Sequence, residues 1–159
     1  MNLYHGSNII IELIDLKKSN VAKDFGSGFY LSDNYEQAFH MGCFAVEREN
    51  EGNVEVTTFE FDESSLNSSN LKILKFDGYT EEWANFIFLN RKNRSQINLH
   101  DYDIVIGPIA DDKVGFQIRQ FLYGYINIKQ LVDALKYRKG ITFQYFFATE
   151  KAIKYLRKL

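Results

Sequence analysis

The chain of 159 residues has one cysteine, one proline, one tryptophan and three histidines. A single cysteine, Cys43, excludes an internal disulfide and fits a reducing compartment. Cys43 falls in a helical pattern, where a free cysteine serves as a small core residue. His5, His40 and His100 lie far apart, with no HxxxH or CxxC spacing, so no metal centre is expected. Charge of one sign is also missing. The balance of 19 Lys and Arg against 21 Asp and Glu gives a net charge of -2. That offers no electrostatic reason for nucleic-acid binding, although a local basic patch can still hold such a substrate. No run approaches the roughly 20 apolar residues of a membrane span. Tyr4-His5-Gly6 interrupts any basic-then-apolar leader pattern. A cytoplasmic protein with no membrane contact is therefore expected. Phosphate-loop signatures are absent too. Gly26-Ser27-Gly28 is not followed by Lys-Ser/Thr, and a dinucleotide fingerprint needs three glycines after a strand.

What is present is a globular composition, 45% hydrophobic and 25% charged, with aromatics high at 16%. The length suits a single domain spanning residues 1–159. Strands are expected at Asn2–Ser7, with a turn at Gly6-Ser7, and at 29–31, 54–61, 71–76, 102–108 and 141–147. Residues 9–14 read as strand or irregular packing, and Lys17 to Lys23 as an exposed loop. A helix capped at Ser32-Asp33 is expected over 34–46, with Ala38, Met41, Phe44 and Ala45 facing inward. Thr80 caps the next, which turns Trp83, Phe86, Ile87 and Asn90 inward. Asp111-Asp112 and Asn127 start two more, the second broken by Gly140. Thr149 caps a final helix expected to run from Glu150 to Leu159, with Lys154, Arg157 and Lys158 suiting its C-terminal end. Strands and helices mix without a βαβ rhythm, which indicates α+β.

The least generic stretch is Lys23-Asp24-Phe25-Gly26-Ser27-Gly28-Phe29-Tyr30-Leu31-Ser32. Glycines before a strand signal tight backbone angles or close backbone approach to a ligand, and a strand ending at a capped helix is a common place to hold a small molecule. Three polar or aromatic residues on three separate strands form a constellation: His5, Tyr30 (on the strand after the glycines) and Gln144. Each has a plain structural explanation. A histidine before glycine is often a turn residue, and one tyrosine among ten is core by default. Gln144, inside Thr142-Phe143-Gln144-Tyr145-Phe146-Phe147, is a strand amide that needs partners if buried.

Taken in order, Tyr4-His5-Gly6-Ser7, Phe25-Gly26-Ser27-Gly28-Phe29-Tyr30-Leu31-Ser32 and Phe143-Gln144-Tyr145-Phe146-Phe147, this last followed by a helix expected to end at Lys154-Tyr155-Leu156-Arg157-Lys158-Leu159, resemble the signature of ADP-ribosyltransferases of the diphtheria-toxin and poly(ADP-ribose) polymerase branch. The resemblance covers both ends of the chain. From Glu47 to Asp101 it extends only to the alternation of elements. It also reaches small stand-alone bacterial members, several of which look like toxins of toxin–antitoxin pairs. It implies split antiparallel β-sheets with flanking helices, and NAD as co-substrate. Catalytic roles would fall to His5, Tyr30 and Gln144. Gly6 would bond the nicotinamide carboxamide through its backbone, with Ser7 and Gly28 beside it. His5 would bond the adenosine-side ribose, Tyr30 would stack on the cationic nicotinamide ring, and Ser32 would support the site. A second stacking aromatic would come from the following helix, where Tyr35, Phe39 and His40 all qualify.

The chain departs from the family at Gln144, where a glutamate is usual. An amide can bond the ribose 2′-hydroxyl but cannot carry negative charge or activate an acceptor. This disfavours chain elongation and leaves transfer of one ADP-ribose, or NAD hydrolysis. Glu150 and Asp111-Asp112 are the carboxylates considered as displaced substitutes. The implied partners are NAD, an unidentified acceptor (protein or nucleic acid) and an antitoxin protein. The alternative is an inactive NAD-binding or protein-interaction module on the same fold. A phosphate-transferring relative would need basic residues around the cleft, and Lys17, Lys18 and Lys23 are too loosely placed in sequence to argue for it.

Overall fold

The structure is a computed structural model and describes residues 1–137 and 140–159. Seven strands form one mostly antiparallel sheet: β1 (Asn2–Ser7), β2 (Phe29–Ser32), β3 (Glu55–Phe61), β4 (Ile73–Lys75), β5 (Ile104–Pro108), β6 (Phe143–Phe147) and β7 (Leu156–Lys158). Their order across the sheet is β4-β5-β6-β2-β1-β3-β7, and only β4 and β5 run parallel. Five α-helices accompany them among the described residues: α1 (Tyr35–Glu49), α2 (Glu81–Arg91), α3 (Val114–Leu122), α4 (Ile128–Leu135) and α5 (Glu150–Ile153). The mixed α+β class expected from the sequence is what forms.

Alternation along the strands divides the core in two. On one face Val105 and Phe146 meet Trp83, Ile87 and Leu131 of α2 and α4. On the other, Leu3, Phe59, Phe61, Ile104 and Phe147 pack with Ala152 of α5 and with the irregular segment holding Ile11 and Ile14. All five residues of β5 are buried, as a strand covered on both faces requires.

The sheet is continuous but unevenly knitted. β2 and β6 pair at four positions, β5 and β6 at five, and β1 and β3 at six. β1 and β2 pair at one, Tyr4 with Ser32. Two halves, β4-β5-β6-β2 and β1-β3-β7, therefore meet at a single pair and splay apart beyond it.

Several local expectations are corrected. Ser7 ends β1 as a strand residue, so no turn forms at Gly6-Ser7. Asn34, not Ser32-Asp33, caps α1, its side chain accepting from the Gln37 N–H, while the Ser32 hydroxyl accepts from Asn34 N–H. The buried face of α1 is Gln37, Ala38, Gly42 and Ala45; Met41 and Phe44 are exposed. Small residues won that face because the helix lies directly on the backbone of β1. The third expected start also shifts. α3 begins at Val114 without a side-chain cap, although Asp111 accepts from the Lys113 N–H. α4 ends at Leu135, before Gly140; Arg138 and Lys139 lie outside the described residues.

The largest correction is at the C-terminus. Thr149 does cap a helix, but α5 lasts four residues, and Leu156–Lys158 is strand, not helix. β7 pairs with β3 through Phe61–Leu156, Glu60–Arg157 and Phe59–Lys158. Without it β3 would be an open edge of unpaired backbone groups. Arg157 bonds Glu60 across the strand pair and Lys158 bonds Glu12 of the irregular segment after β1, so these two cations, expected to suit a helix end, make ion pairs with distant parts of the chain instead.

Candidate functional site: the gap between two strands

The geometry of the gap follows from ladder parity. Met1 and Phe61 exchange both backbone hydrogen bonds, at 2.9 and 2.8 Å. In an antiparallel ladder, residues alternate in the side to which they turn N–H and C=O. The register of β1 on β3 therefore aims Leu3, His5 and Ser7 at β3, and aims Tyr4 and Gly6 at β2. On the opposite strand, the Asp33 N–H bonds the Phe143 carbonyl, so Ser32 and Tyr30 aim their backbone at β1. Gly6 and Tyr30 would be the next pair after Tyr4–Ser32, and that pair does not form. The backbone of Gly6 thus faces the gap.

His5 takes over one of the missing bonds. Its Nδ1 lies 2.7 Å from the Tyr30 carbonyl oxygen. A carbonyl only accepts, so Nδ1 carries the proton and Nε2 is left as an acceptor. Burial pushes the imidazole pKa below its ordinary value, with Lys23 adding to this and the bond to Tyr30 opposing it. The ring stacks on Phe29, centroids 4.5 Å apart. By strand alternation His5 belongs to the face opposite Tyr30, and it reaches the gap edge-on through Nδ1.

The glycines serve close packing. A Cβ on Gly6 would stand 1.6 Å from the Ala38 carbonyl oxygen and 2.7 Å from the Gly42 nitrogen, so only glycine lets α1 cross β1 here. A Cβ on Gly28 would stand 2.3 Å from the Phe146 ring and 2.6 Å from the Phe147 carbonyl oxygen. The Ser7 hydroxyl is turned to the Ile9 carbonyl, and Ser32 sits between Tyr4 and Gln144 in the ladder. On α1, Tyr35 is half exposed and meets Tyr4 edge to face, ring centroids 5.5 Å apart, and Phe39 is exposed.

Tyr30 is held at its hydroxyl by two backbone groups. Its hydroxyl donates to the Gly26 carbonyl at 2.7 Å and accepts from the Phe25 N–H at 3.0 Å. Burial raises its pKa well above the ordinary phenol value, the nearby Asp24 charge adding to this. The ring packs on Phe146, and the Lys23 ammonium stands 5.4 Å from the ring centroid. Burial pushes the Lys23 pKa down, as do Arg48 and Arg91, while Asp24 opposes them.

Gln144 is 8% exposed and lies on the face of Tyr30 and Ser32. Its Nε2 approaches Asp24 Oδ2 at 3.2 Å and the Pro108 carbonyl at 3.4 Å. The other oxygen of Asp24 receives Arg91 Nε at 2.7 Å and Nη2 at 2.6 Å. Glu150 is exposed, and neither it nor the Asp111-Asp112 pair hydrogen-bonds Gln144.

Sequence reasoning missed Asp24 and Arg91, and dismissed Lys23. Asp24 and Lys23 adjoin the glycine pair, which was the available signal; Arg91, at the end of α2, had none. A second missed group holds the glycine loop. Asn98 accepts from the Ser27 N–H at 2.6 Å and donates to the Ser27 carbonyl at 2.9 Å, while His100 Nε2 bonds the Phe25 carbonyl at 2.7 Å.

The molecule is thus an α+β protein whose sheet opens between β1 and β2, with a Lys23–Asp24–Arg91–Gln144 network beside the opening. Residues 1–158 match the family described as "Protein of unknown function (DUF3990)", and the chain belongs to that family. No curated protein and no solved structure matches it. Among the described residues no helix is long and apolar enough to cross a membrane.

Proposed function

We propose that the chain is an NAD-dependent mono-ADP-ribosyltransferase on an ADP-ribosyltransferase-like split fold. It would transfer one ADP-ribose to a macromolecular acceptor and release nicotinamide. The observation that carries this reading is the unmade Gly6–Tyr30 pair. A strand residue with N–H and C=O free on one side is the hydrogen-bond complement of a primary amide, and the nicotinamide carboxamide is one. His5 Nε2, unprotonated, suits a ribose hydroxyl donor. The Lys23 ammonium, over the Tyr30 ring, brings positive charge to the opening, which would suit an anionic dinucleotide, while Arg91 is engaged by Asp24.

The reaction breaks the bond between ribose C1′ and the nicotinamide nitrogen. The electron pair leaves with nicotinamide, positive charge builds on the ribose, and an acceptor nucleophile bonds C1′ and loses its proton to water. The chain's residues would bind, orient and exclude water. The toxin role, with an antitoxin partner, belongs to the same proposal.

One observation favours the non-catalytic alternative. The Tyr30 face that would stack on nicotinamide is covered by Lys23, which must swing away before a ring can enter.

The test is nicotinamide release from NAD by the purified chain, with His5→Ala beside wild type and thermal unfolding run on both. Release that falls at least about tenfold in a folded His5→Ala supports the reading. NAD binding without release favours the non-catalytic module. Neither binding nor release removes both.

A further inference from the structure

We infer that Asp24 carries the negative charge of this site, and that residue 144 is an amide because Asp24 is there. This rests on the reading above for its catalytic part, and on geometry alone for the pairing.

The four groups come from four places in the fold. Asp24 precedes the glycine pair, Arg91 ends α2, Pro108 ends β5 and Gln144 lies in β6. Arg91 engages Oδ1 of Asp24 with two nitrogens, which leaves Oδ2 to the longer contact with Gln144. Both neighbours of the Gln144 head group, Asp24 Oδ2 and the Pro108 carbonyl, are acceptors. The nitrogen must therefore be the atom that faces them, and Oε1 is turned the other way. A glutamate at 144 would set its carboxylate against a second carboxylate and a carbonyl, which like-charge repulsion and burial both oppose. The network thus holds one carboxylate, at residue 24, and presents a carbonyl oxygen at residue 144 polarised by it.

In the transfer step this places a negative charge next to the group that accepts from the ribose hydroxyl. That charge stabilises the cationic ribose as the C1′–N bond breaks. Asp24 acts through Gln144 and so is a positioning residue. The mechanism needs no carboxylate from Glu150 or Asp111-Asp112.

The test uses the full chain in four forms: wild type, Asp24→Asn, Gln144→Glu, and the exchange carrying both. Two readouts are taken, thermal unfolding at neutral and acidic pH, and kcat and KM for nicotinamide release from NAD. Gln144→Glu should lower Tm at neutral pH and regain part of it on acidification, as the paired carboxylates take up a proton. The exchange should have a higher Tm than Gln144→Glu. In activity, Asp24→Asn and Gln144→Glu should each lose at least about tenfold in kcat with little change in KM, and the exchange should recover part of that loss. If the exchange is no more stable than the sum of the two single losses, the pairing is wrong. If Asp24→Asn keeps wild-type kcat, its part in the reaction is wrong. If folded wild type releases no nicotinamide, the transferase reading fails, and the Tm cycle still decides the pairing.

Discussion

The two halves of the sheet are built to different standards of closure. In β4-β5-β6-β2 every neighbouring pair is bonded over at least three positions, and α2 to α4 cover one face. Trp83 is fully buried with its Nε1–H on the Pro108 carbonyl at 3.1 Å. In β1-β3-β7 the strands pair equally well with one another, but β1 abandons β2 after one position. Continuing that ladder would pair the backbone groups that the gap leaves open. An unmade strand pair between two otherwise well-knitted halves leaves backbone donors and acceptors that need partners. His5 supplies one of them from its own side chain. The candidate site is thus a gap in the hydrogen-bond pattern of the sheet.

Changes at the junction should therefore cost most. Gly6→Ala forces a Cβ into the backbone of α1 and should destabilise the fold by more than about 3 kcal/mol, or prevent folding, in chemical denaturation. Trp83→Phe, in the closed half, removes a buried bond and leaves the Pro108 carbonyl with only the long Gln144 contact; about 1–3 kcal/mol should be lost. If Trp83→Phe proves costlier than Gly6→Ala, the junction is softer than drawn.

A third comparison sets the junction against an ordinary tie. Burial alone would raise the Asp103 carboxyl, but the Lys151 ammonium, the Lys72 N–H and the Thr149 hydroxyl outweigh it and hold it below the usual range. Its contribution is present above the unfolded pKa and lost as pH falls through the folded one, so Asp103→Asn should flatten acid unfolding below about pH 4. His5 acts in a different window. Its folded pKa is depressed, so the unfolded chain binds more protons and stability should fall as pH drops through about 6.5 toward the folded value. His5→Ala should remove that slope, and urea midpoints between pH 7 and 5 would show it. The smallest effect is expected at the outer edge. Arg157→Ala breaks an exposed pair with Glu60 and should cost no more than about 1 kcal/mol in the same assay.

Legibility followed range. The caps at Thr80, Asn127 and Thr149 were readable because a cap is settled within four residues. Of the inward set Trp83, Phe86, Ile87 and Asn90 expected from helical spacing, three are buried and Phe86 is half-buried. The tail was not: Leu156-Arg157-Lys158 suits the end of a helix as well as a strand, and the free edge of β3, nearly a hundred residues earlier, decided it. The inner face of α1 was misread for the same kind of reason. Met41 and Phe44 are the more apolar choices, but the helix lies so close to Gly6 that only small side chains fit between. Of the site, His5, Tyr30 and Gln144 stood out in the sequence by their settings. Their partners Asp24 and Arg91, 67 residues apart, did not.

The sequence by itself determined the α+β class and the positions of most elements. Those follow from short-range periodicity, capping and sterics, which act within a turn or a strand. Only the tertiary structure decided that β1 and β2 part after Tyr4–Ser32, that the last residues close the β3 edge, and that Gln144 faces a carboxylate. Each of these depends on which distant backbone or charge comes to lie opposite, and no local preference encodes that.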